Sequence, residues 1–369
     1  MKYRSLESLR GFAALTVAWY HSPFRNGGES LFLVNADLLV DFFFILSGFV
    51  LAHAYRARIE AGMPPLSFMA LRLGRLWPLH LAVLAMWMPL VALTAFWGIR
   101  VDGLADLPLT ALMLNSVGLV PLRWNYPSWS VSAEVIGGAV VFAAIVLMRR
   151  RLTPVVCLGL AVCCYAGVLY LAGLGSIRVS YDYGALRCLG GLFLGVGIQA
   201  LGLRPFGGRR LASLVEIVAV VCVLSLLWRP APGAGAELAL IAGFGAMVAV
   251  FARGEGVLAS LLSLRWPVAL GTLSYSIYML HALFFRVAEA VVVHYRLLPM
   301  HPLGVGDRLF YDTPWAVPLS MGVLGLVIAC SALTWRWIEE PGRKASRDWV
   351  ARRDSTASGP AVAASAGAP

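Results

Sequence analysis

Ten apolar runs, each about as long as a helix that crosses a membrane, recur along this chain of 369 residues. A helix needs about 20 predominantly apolar residues to cross the hydrocarbon core of a bilayer. Only 13% of the residues are charged, which leaves too little polar surface to cover a soluble fold of this length. The sequence therefore predicts an all-α, polytopic membrane protein and excludes a soluble enzyme, a coiled coil and a disordered chain. The predicted spans are roughly 7–24, 37–55, 76–97, 129–148, 153–173, 184–202, 211–228, 237–252, 266–290 and 315–337.

The distribution of Lys and Arg sets the predicted orientation. Most of these 30 residues fall in alternate connecting segments, including the triplet Arg149–Arg151 and the cluster Arg204, Arg209 and Arg210. Because cytoplasmic loops carry an excess of positive charge, both termini are predicted to be cytoplasmic. The net charge of +11 therefore reflects membrane topology, and no nucleic acid is expected as a partner. The apolar segment 104–120 is too short for an eleventh span and is expected to be re-entrant or interfacial.

Two regions are predicted from the change in composition along the chain. Residues 1–345 form a transmembrane domain, and residues 346–369, rich in Ala, Ser, Gly and Pro, are predicted to be a disordered cytoplasmic tail. The six cysteines lie in apolar runs without a Cys-x-x-Cys pair, so they indicate neither a disulfide framework nor a metal site. No metal and no bound cofactor is expected.

Ionisable side chains inside the predicted spans are functional candidates, because hydrocarbon disfavours them strongly. Arg10 and His21 lie on the same face of the first span, about 16 Å apart along its axis at 1.5 Å per residue. The residues expected at the outer depth are His21, Asp41, Glu134, Arg187 and His281. Those expected at the inner depth are Arg10, His53, Arg72, Arg75 and His80. The outer set suggests proton transfer, and the mainly cationic inner set suggests an anionic ligand that arrives from the cytoplasm.

Structural alternatives exist for several of these residues. Asp41 and Glu134 are also typical of ion-pair partners for Arg187. Arg72 and Arg75 at the inner end of a span are also typical of anchors that reach the lipid headgroups. His53 and His80 are also typical of hydrogen bonds between helices.

Six separate motifs resemble those of the acyltransferase-3 family, bacterial integral-membrane O-acyltransferases that modify surface polysaccharides and some secreted small molecules. They follow one another in the family's order across about residues 8–343, within a frame of ten spans. The matching stretches are SLRGFAAL at 8–15 with His21, DFFFILSGF at 41–49, RLGRLWP at 72–78, WSVSAE at 129–134, SYSIYMLH at 274–281, and Glu340, Pro341 and Arg343.

The resemblance implies a multi-pass enzyme of the bacterial cytoplasmic (inner) membrane, surrounded by membrane lipid. Its donor substrate would be acyl-CoA, most commonly acetyl-CoA. Its acceptor would be a hydroxyl of a surface or exported saccharide, including a lipid-linked glycan. The identity of the acceptor, the acyl length and the oligomeric state stay open.

The chemistry of acyl transfer suggests a role for each candidate. His21 is the candidate base because an imidazole titrates near neutrality, and the family assigns the same histidine to catalysis with Arg10 as its companion. Glu134 is expected to orient His21, with Asp41 as the alternative. Arg72 and Arg75, one turn apart, are expected to bind the CoA phosphates. The candidate substrate-binding residues are Asp41, Ser130, Arg187, Tyr275 and His281.

Two questions stay open at this level. The acyl group can pass directly to the acceptor or through a covalent intermediate on Ser47, Ser130 or His21. A proton-coupled transporter or flippase of an anionic or glycolipid substrate would also use buried Arg, His and carboxylate groups. Such transporters often contain internal repeats, and none is evident in this sequence.

Overall fold

The computed structural model of the chain describes residues 3–24, 34–97, 103–173, 175–229, 233–298, 301–302, 309–310 and 314–357. Helices dominate these ranges, as the apolar runs predict. The helices are α1 (Arg4–Tyr20), α2 (Leu39–Glu60), α3 (Pro65–Phe96), α4 (Leu107–Ala111), α5 (Ser128–Met148), α6 (Pro154–Ala172), α7 (Gly184–Ala200), α8 (Arg209–Trp228), α9 (Ala234–Phe251), α10 (Val257–Leu262), α11 (Arg265–Thr272), α12 (Ser274–His294), α13 (Ala316–Thr334) and α14 (Glu340–Ala357). Two short strands, β1 (His301–Pro302) and β2 (Leu309–Phe310), pair antiparallel.

Within the described ranges, eight helical segments are long and apolar enough to cross a membrane. They contain α2, α3, α5, α6, α8, α9, α12 and the continuous segment Ala316–Ser355. The remaining two predicted spans correspond to α1 and α7, which have 17 residues each. The prediction of a polytopic all-α membrane protein is therefore confirmed.

The ninth predicted span, 266–290, is not one helix. It is divided at Leu273 into the short α11 and the longer α12. The break lies where α11 packs against α1 at very close range. A Cβ atom added to Gly11 would lie 2.6 Å from the Gly271 backbone nitrogen, so both helices depend on glycine at this contact. The segment 104–120 contains the 3-10 turn Leu104–Asp106 and the five-residue α4, and it is not an additional span, as expected.

The tightest packing in the centre of the bundle joins α2 and α7. Both helices are parallel, because contacts advance in the same direction along them, from Gly191 beside Phe44 to Gly195 beside Phe49. A Cβ atom on Gly48 would lie 2.1 Å from the Leu192 carbonyl oxygen. Small residues of this kind allow helix backbones to approach closely inside a membrane. This contact determines which polar side chains of α2 and α7 face one another.

Replacing Gly195 with alanine is expected to destabilise the protein by about 1–3 kcal/mol, the usual effect of overpacking. The reason is that its Cβ atom would lie 2.0 Å from the Ile45 carbonyl oxygen. Thermal unfolding of the detergent-solubilised protein measures the effect. Gly322→Ala is the matched control, since nothing lies within 4 Å of its Cβ position. Equal unfolding temperatures for the two variants would contradict the close α2–α7 contact.

The C-terminal helical segment differs from the prediction of a disordered tail from residue 346. The π-helical turn Trp335–Glu339 joins α13 to α14 without interruption, and α14 continues to Ala357. Helix α14 packs along the first half of α3, with Gly342 beside Pro78 and Ser346 beside Gly74. The sequence favoured disorder because the residues after 345 are rich in Ala, Ser, Gly and Pro, but packing against α3 stabilises α14. Residues 358–369 of the predicted tail lie outside the described residues.

Candidate active site

His21 and His281 form the central contact of the candidate site. His21 follows the last turn of α1, and His281 lies on α12, which packs against α1. Their rings are stacked with centroids 5.2 Å apart, and His281 Nε2 lies 3.3 Å from His21 Nδ1. The structure therefore brings together two histidines that were both predicted at the outer depth.

The contacts of His21 determine the position of its ring hydrogen. His21 Nδ1 lies 2.9 Å from the Val17 carbonyl oxygen, which can only accept a hydrogen bond. The hydrogen of the neutral ring is therefore on Nδ1, and the lone pair is on Nε2. His281 Nε2 presents a second acceptor to the same hydrogen. When His21 takes a proton on Nε2, both acceptors stabilise the resulting cation.

A cavity of about 140 Å³ adjoins His21, and we call it the histidine cavity. The rings of Tyr126 and Trp129 line it, and Tyr126 meets the His21 ring in an edge contact at 5.0 Å. It is also lined by Arg178, Arg187 and Asp37. The cavity therefore combines aromatic surfaces, paired charges and a histidine, which suits a polar ligand.

Arg178 is a cavity residue that the sequence reasoning missed. It donates to Glu237 at 2.8 Å, and it also pairs with Asp37. Burial lowers the pKa of the Arg178 guanidinium, but these two carboxylates raise it overall, so it stays cationic. The signal was weak because Arg178 lies in a loop, where an arginine is normally a solvated residue.

Asp41 does not act as the partner of His21. The structure pairs it with Arg187, whose Nη2 donates to Asp41 Oδ2 at 2.5 Å and whose Nε lies 3.1 Å from the same oxygen. The Asp41 side chain has no exposed surface and does not line the histidine cavity, which differs from its predicted position at the substrate. The reason for both corrections is the parallel α2–α7 contact, which aims Asp41 at Arg187. The structural alternative for Asp41 is therefore confirmed.

Glu134 also lies away from the position predicted for it. It accepts hydrogen bonds from Ser47 at 2.7 Å and from Arg72 at 3.0 Å, and it does not orient His21. The prediction assumed that α5 begins at the membrane surface. Instead, Asn125 and Ser128 at its start are fully buried, so α5 begins inside the bundle and Glu134 lies deeper than expected.

A second cavity, of about 100 Å³, contains the inner arginines, and we call it the arginine cavity. Arg10, Arg72 and Arg75 all line it, as the prediction of a shared inner site requires. Ser130, Glu134 and Tyr275 line it as well, and the Tyr275 hydroxyl donates to the Leu76 carbonyl at 2.6 Å. Its charge is therefore mainly positive.

The three arginines of this cavity differ in their partners. Arg10 donates to the Ser274 hydroxyl at 2.7 Å and to the Gly271 carbonyl at 3.0 Å, both at the break between α11 and α12. Arg72 is engaged by Glu134. Arg75 has neither a hydrogen-bond nor a salt-bridge partner among the residues that the structure describes, and its buried Nε is unsatisfied. Arg75 is therefore the arginine best placed to bind an added anion.

A buried carboxylate near this cavity was also missed. Glu339, in the π-helical turn, has no exposed surface and accepts hydrogen bonds from Ser276 and from Arg343. The closing motif drew attention to the neighbouring Glu340, which is half-exposed and pairs with Arg347. The spacing of four residues between Glu339 and Arg343 was the signal that could have identified it.

Two further histidines from the inner set lie outside both cavities. His80 is buried, and its Nε2 lies 2.8 Å from the Thr110 carbonyl oxygen, which confirms the interhelical alternative. His53 is exposed and stacks edge-on against Tyr3. Neither side chain contributes to the walls of the arginine cavity.

Comparison with known proteins gives one match along nearly the whole chain. A family model described as an acyltransferase domain, that of the acyltransferase-3 family, matches residues 3–336. A shorter match, over 82 residues or 22% of this chain, is 40% identical to "Protein 2 in picA locus" of Rhizobium radiobacter. That match covers 41% of the relative's length. No solved structure matches the chain significantly.

Proposed function

The chain belongs to the acyltransferase-3 family and is an acyltransferase for groups other than amino-acyl groups, and from this premise we propose that it acylates a saccharide across the membrane. The donor is cytoplasmic acyl-CoA, with acetyl as the transferred group. The acceptor is a hydroxyl of a surface or exported saccharide, and the enzyme resides in the bacterial cytoplasmic membrane.

The observation that carries this proposal is the arrangement of two unlike cavities end to end. One is lined by three arginines, and the other adjoins the His21–His281 pair. Tyr278 lines both, so the two cavities meet at its ring. An anionic donor suits the first cavity, because guanidinium groups bind phosphate through charge-assisted hydrogen bonds. A neutral hydroxyl that must lose a proton suits the second.

The proposed reaction uses His21 as the base. The acceptor oxygen bonds to the thioester carbonyl carbon while its proton passes to His21 Nε2. The carbon–sulfur bond then breaks, and the proton passes on to the departing thiolate, which gives an ester and free CoA. We favour direct transfer over an acyl-serine, since Ser47 lines the arginine cavity, on the other side of Tyr278 from His21. His281 acts as a positioning residue through His21 Nδ1.

The arginines divide the binding of the donor between them in this proposal. Arg75 holds a CoA phosphate, because no carboxylate of the described residues forms a hydrogen bond or salt bridge with its guanidinium. Arg72 and Glu134 form the wall beside it. Arg10 is fixed between α11 and α12 and contributes positive charge.

Arg75→Ala is expected to raise the KM for acyl-CoA by about 10- to 100-fold with little change in kcat. This range of KM corresponds to the loss of one hydrogen bond to a charged group, which contributes about 1.5–3 kcal/mol. Initial rates over a series of donor concentrations measure it. Arg151→Ala, at an exposed arginine of the triplet, is the matched control. An unchanged KM for Arg75→Ala would assign Arg75 to anchoring in the headgroups.

Inverted membrane vesicles supplied with acetyl-labelled acetyl-CoA test the function as a whole. The proposal expects label in an alkali-sensitive ester of a saccharide, formed only in vesicles that contain the protein. Accumulation of unmodified solute inside the vesicles, with no ester, would favour the transporter alternative. Label retained covalently on the protein would favour an acyl-enzyme over direct transfer.

A further inference from the structure

The boundary between the two cavities is only one helical turn thick. On α2, Phe43 lines the arginine cavity; Val40, one turn earlier, lines the histidine cavity. On α5, Ser130 lines the former and Trp129 the latter. Tyr278 of α12 is common to both. The aromatic ring of Tyr278 therefore occupies the junction.

The Tyr278 ring is held in place at both its hydroxyl and its edge. Ser130 has one hydroxyl hydrogen, and it donates this to the Pro127 carbonyl at 3.0 Å. The Tyr278 hydroxyl, 2.8 Å from Ser130 Oγ, is therefore the donor in that pair. Phe43 packs against the Tyr278 ring in an edge contact with centroids 5.8 Å apart. The ring is buried, with only 6% of its surface exposed.

We propose that Tyr278, fixed by Ser130 and by Phe43, sets the length of the acyl group that the enzyme transfers. This inference rests on the proposed function. CoA enters from the arginine cavity, and the acceptor hydroxyl lies beside His21, so the thioester carbon must react at the junction. Its sulfur then points back to the arginines and its acyl tail lies against the Tyr278 ring.

The space at the ring limits the tail because the surrounding side chains are themselves packed. Trp129 stands beside the junction with 8% of its surface exposed, and Phe44 contacts its ring at 6.0 Å. We therefore expect a short acyl group to fit beside the Tyr278 ring and each additional methylene of the acyl chain to slow the transfer. A rigid apolar pocket discriminates by about 10- to 200-fold per methylene.

Tyr278→Leu tests this by removing the hydroxyl and part of the ring while keeping an apolar side chain. Membranes are supplied with labelled acetyl-CoA, butyryl-CoA or hexanoyl-CoA at equal concentration, and the initial rate of ester formation is measured. We expect the butyryl-to-acetyl rate ratio to rise by at least about tenfold, the lower bound for one methylene. An unchanged ratio in an active Tyr278→Leu enzyme overturns the inference.

Phe284→Leu is the matched control, since Phe284 lies on α12 and is absent from the lining of both cavities. It is expected to leave the ratio unchanged. Tyr278→Phe keeps the ring but removes the hydrogen bond to Ser130, so it is expected to shift the ratio less than Tyr278→Leu does. A larger shift for the phenylalanine variant would contradict a limit set by ring size.

A measurement without catalysis covers the case in which Tyr278→Leu is inactive. Ser180 lines the histidine cavity, and a Ser180→Cys variant can be exposed to a charged thiol reagent in inverted vesicles. Adding Tyr278→Leu to Ser180→Cys is expected to speed the modification of Cys at position 180 at least about tenfold, because the reagent then passes the junction. The protein with its native cysteines alone gives the baseline. Equal modification rates with and without Tyr278→Leu would show that Tyr278 does not separate the two cavities, and they would overturn the inference. If the parent protein transfers no acyl group from any donor, the proposed function fails, whereas the thiol result still decides whether Tyr278 separates the cavities.

Discussion

His21→Ala is expected to lower acyl transfer by at least about a hundredfold, since general base catalysis contributes about 10²- to 10⁴-fold. The lone pair that accepts the proton is on Nε2, because Nδ1 donates to the Val17 carbonyl. Alanine removes this base and leaves α1 intact. Ester formation from labelled acetyl-CoA measures the loss, with kcat affected rather than the KM for the donor.

The matched control for His21→Ala is His294→Ala. His294 is exposed at the end of α12, where it stacks on Trp97, and it lines neither cavity. Its replacement is expected to leave transfer unchanged. Retained transfer in His21→Ala, at normal amounts of inserted protein, would remove His21 from the role of base.

Asp41→Ala is expected to destabilise the protein by about 3–5 kcal/mol, the usual effect of removing one partner of a buried ion pair. Arg187 would keep its charge with 4% of its side chain exposed, and its Nη1 would keep the Val179 carbonyl as a neutral acceptor. A lower unfolding temperature in detergent, measured alongside the amount of inserted protein, reports this effect.

Glu289→Ala is the matched control for Asp41→Ala. Its partner Arg286 has 61% of its side chain exposed, so the loss is expected to stay below about 1 kcal/mol. The double variant Asp41→Leu with Arg187→Met is expected to recover much of the lost stability, because it leaves no uncompensated charge. A stable Asp41→Ala protein with impaired acceptor binding would restore Asp41 as a substrate-binding residue.

The sequence predicted the helices and their polar residues better than it predicted which residues meet. Apolar length and charge identified the spans, and the motifs identified His21, His281 and the inner arginines. Position along a helix gives depth, but it does not give the direction in which a side chain points. For this reason the sequence could not distinguish Asp41 from Glu134 as the residue that orients His21. In the structure, the glycine contacts between α2 and α7 place Asp41 against Arg187.

The predicted depth of Glu134 and the predicted ninth span were wrong for a second reason. The segments between the helices pack inside the bundle and so shift where the helices begin and end. Asn125 and Ser128 are buried, so α5 begins inside the bundle and Glu134 lies deeper than the sequence predicts. The break at Leu273 divides a predicted span and provides the two acceptors that hold Arg10. Apolar composition contains no signal for either feature, because both depend on close backbone approaches between distant parts of the chain.

The helix α3, which carries Arg72 and Arg75 of the arginine cavity, is longer than a membrane span, and α14 packs along one half of it. At 1.5 Å per residue, the 32 residues of α3 measure about 48 Å, roughly 18 Å more than the hydrocarbon core of a bilayer. The charge-rich α14 lies along the Pro65 half of α3. Because hydrocarbon disfavours charged side chains, we expect the surplus length on that side, as a two-helix extension beyond the bilayer. Anionic headgroups repel a CoA molecule over about one Debye length, roughly 8–10 Å. Under the proposed function, we expect an extension of this height to let the CoA donor meet the arginines of α14 before it meets the lipid headgroups.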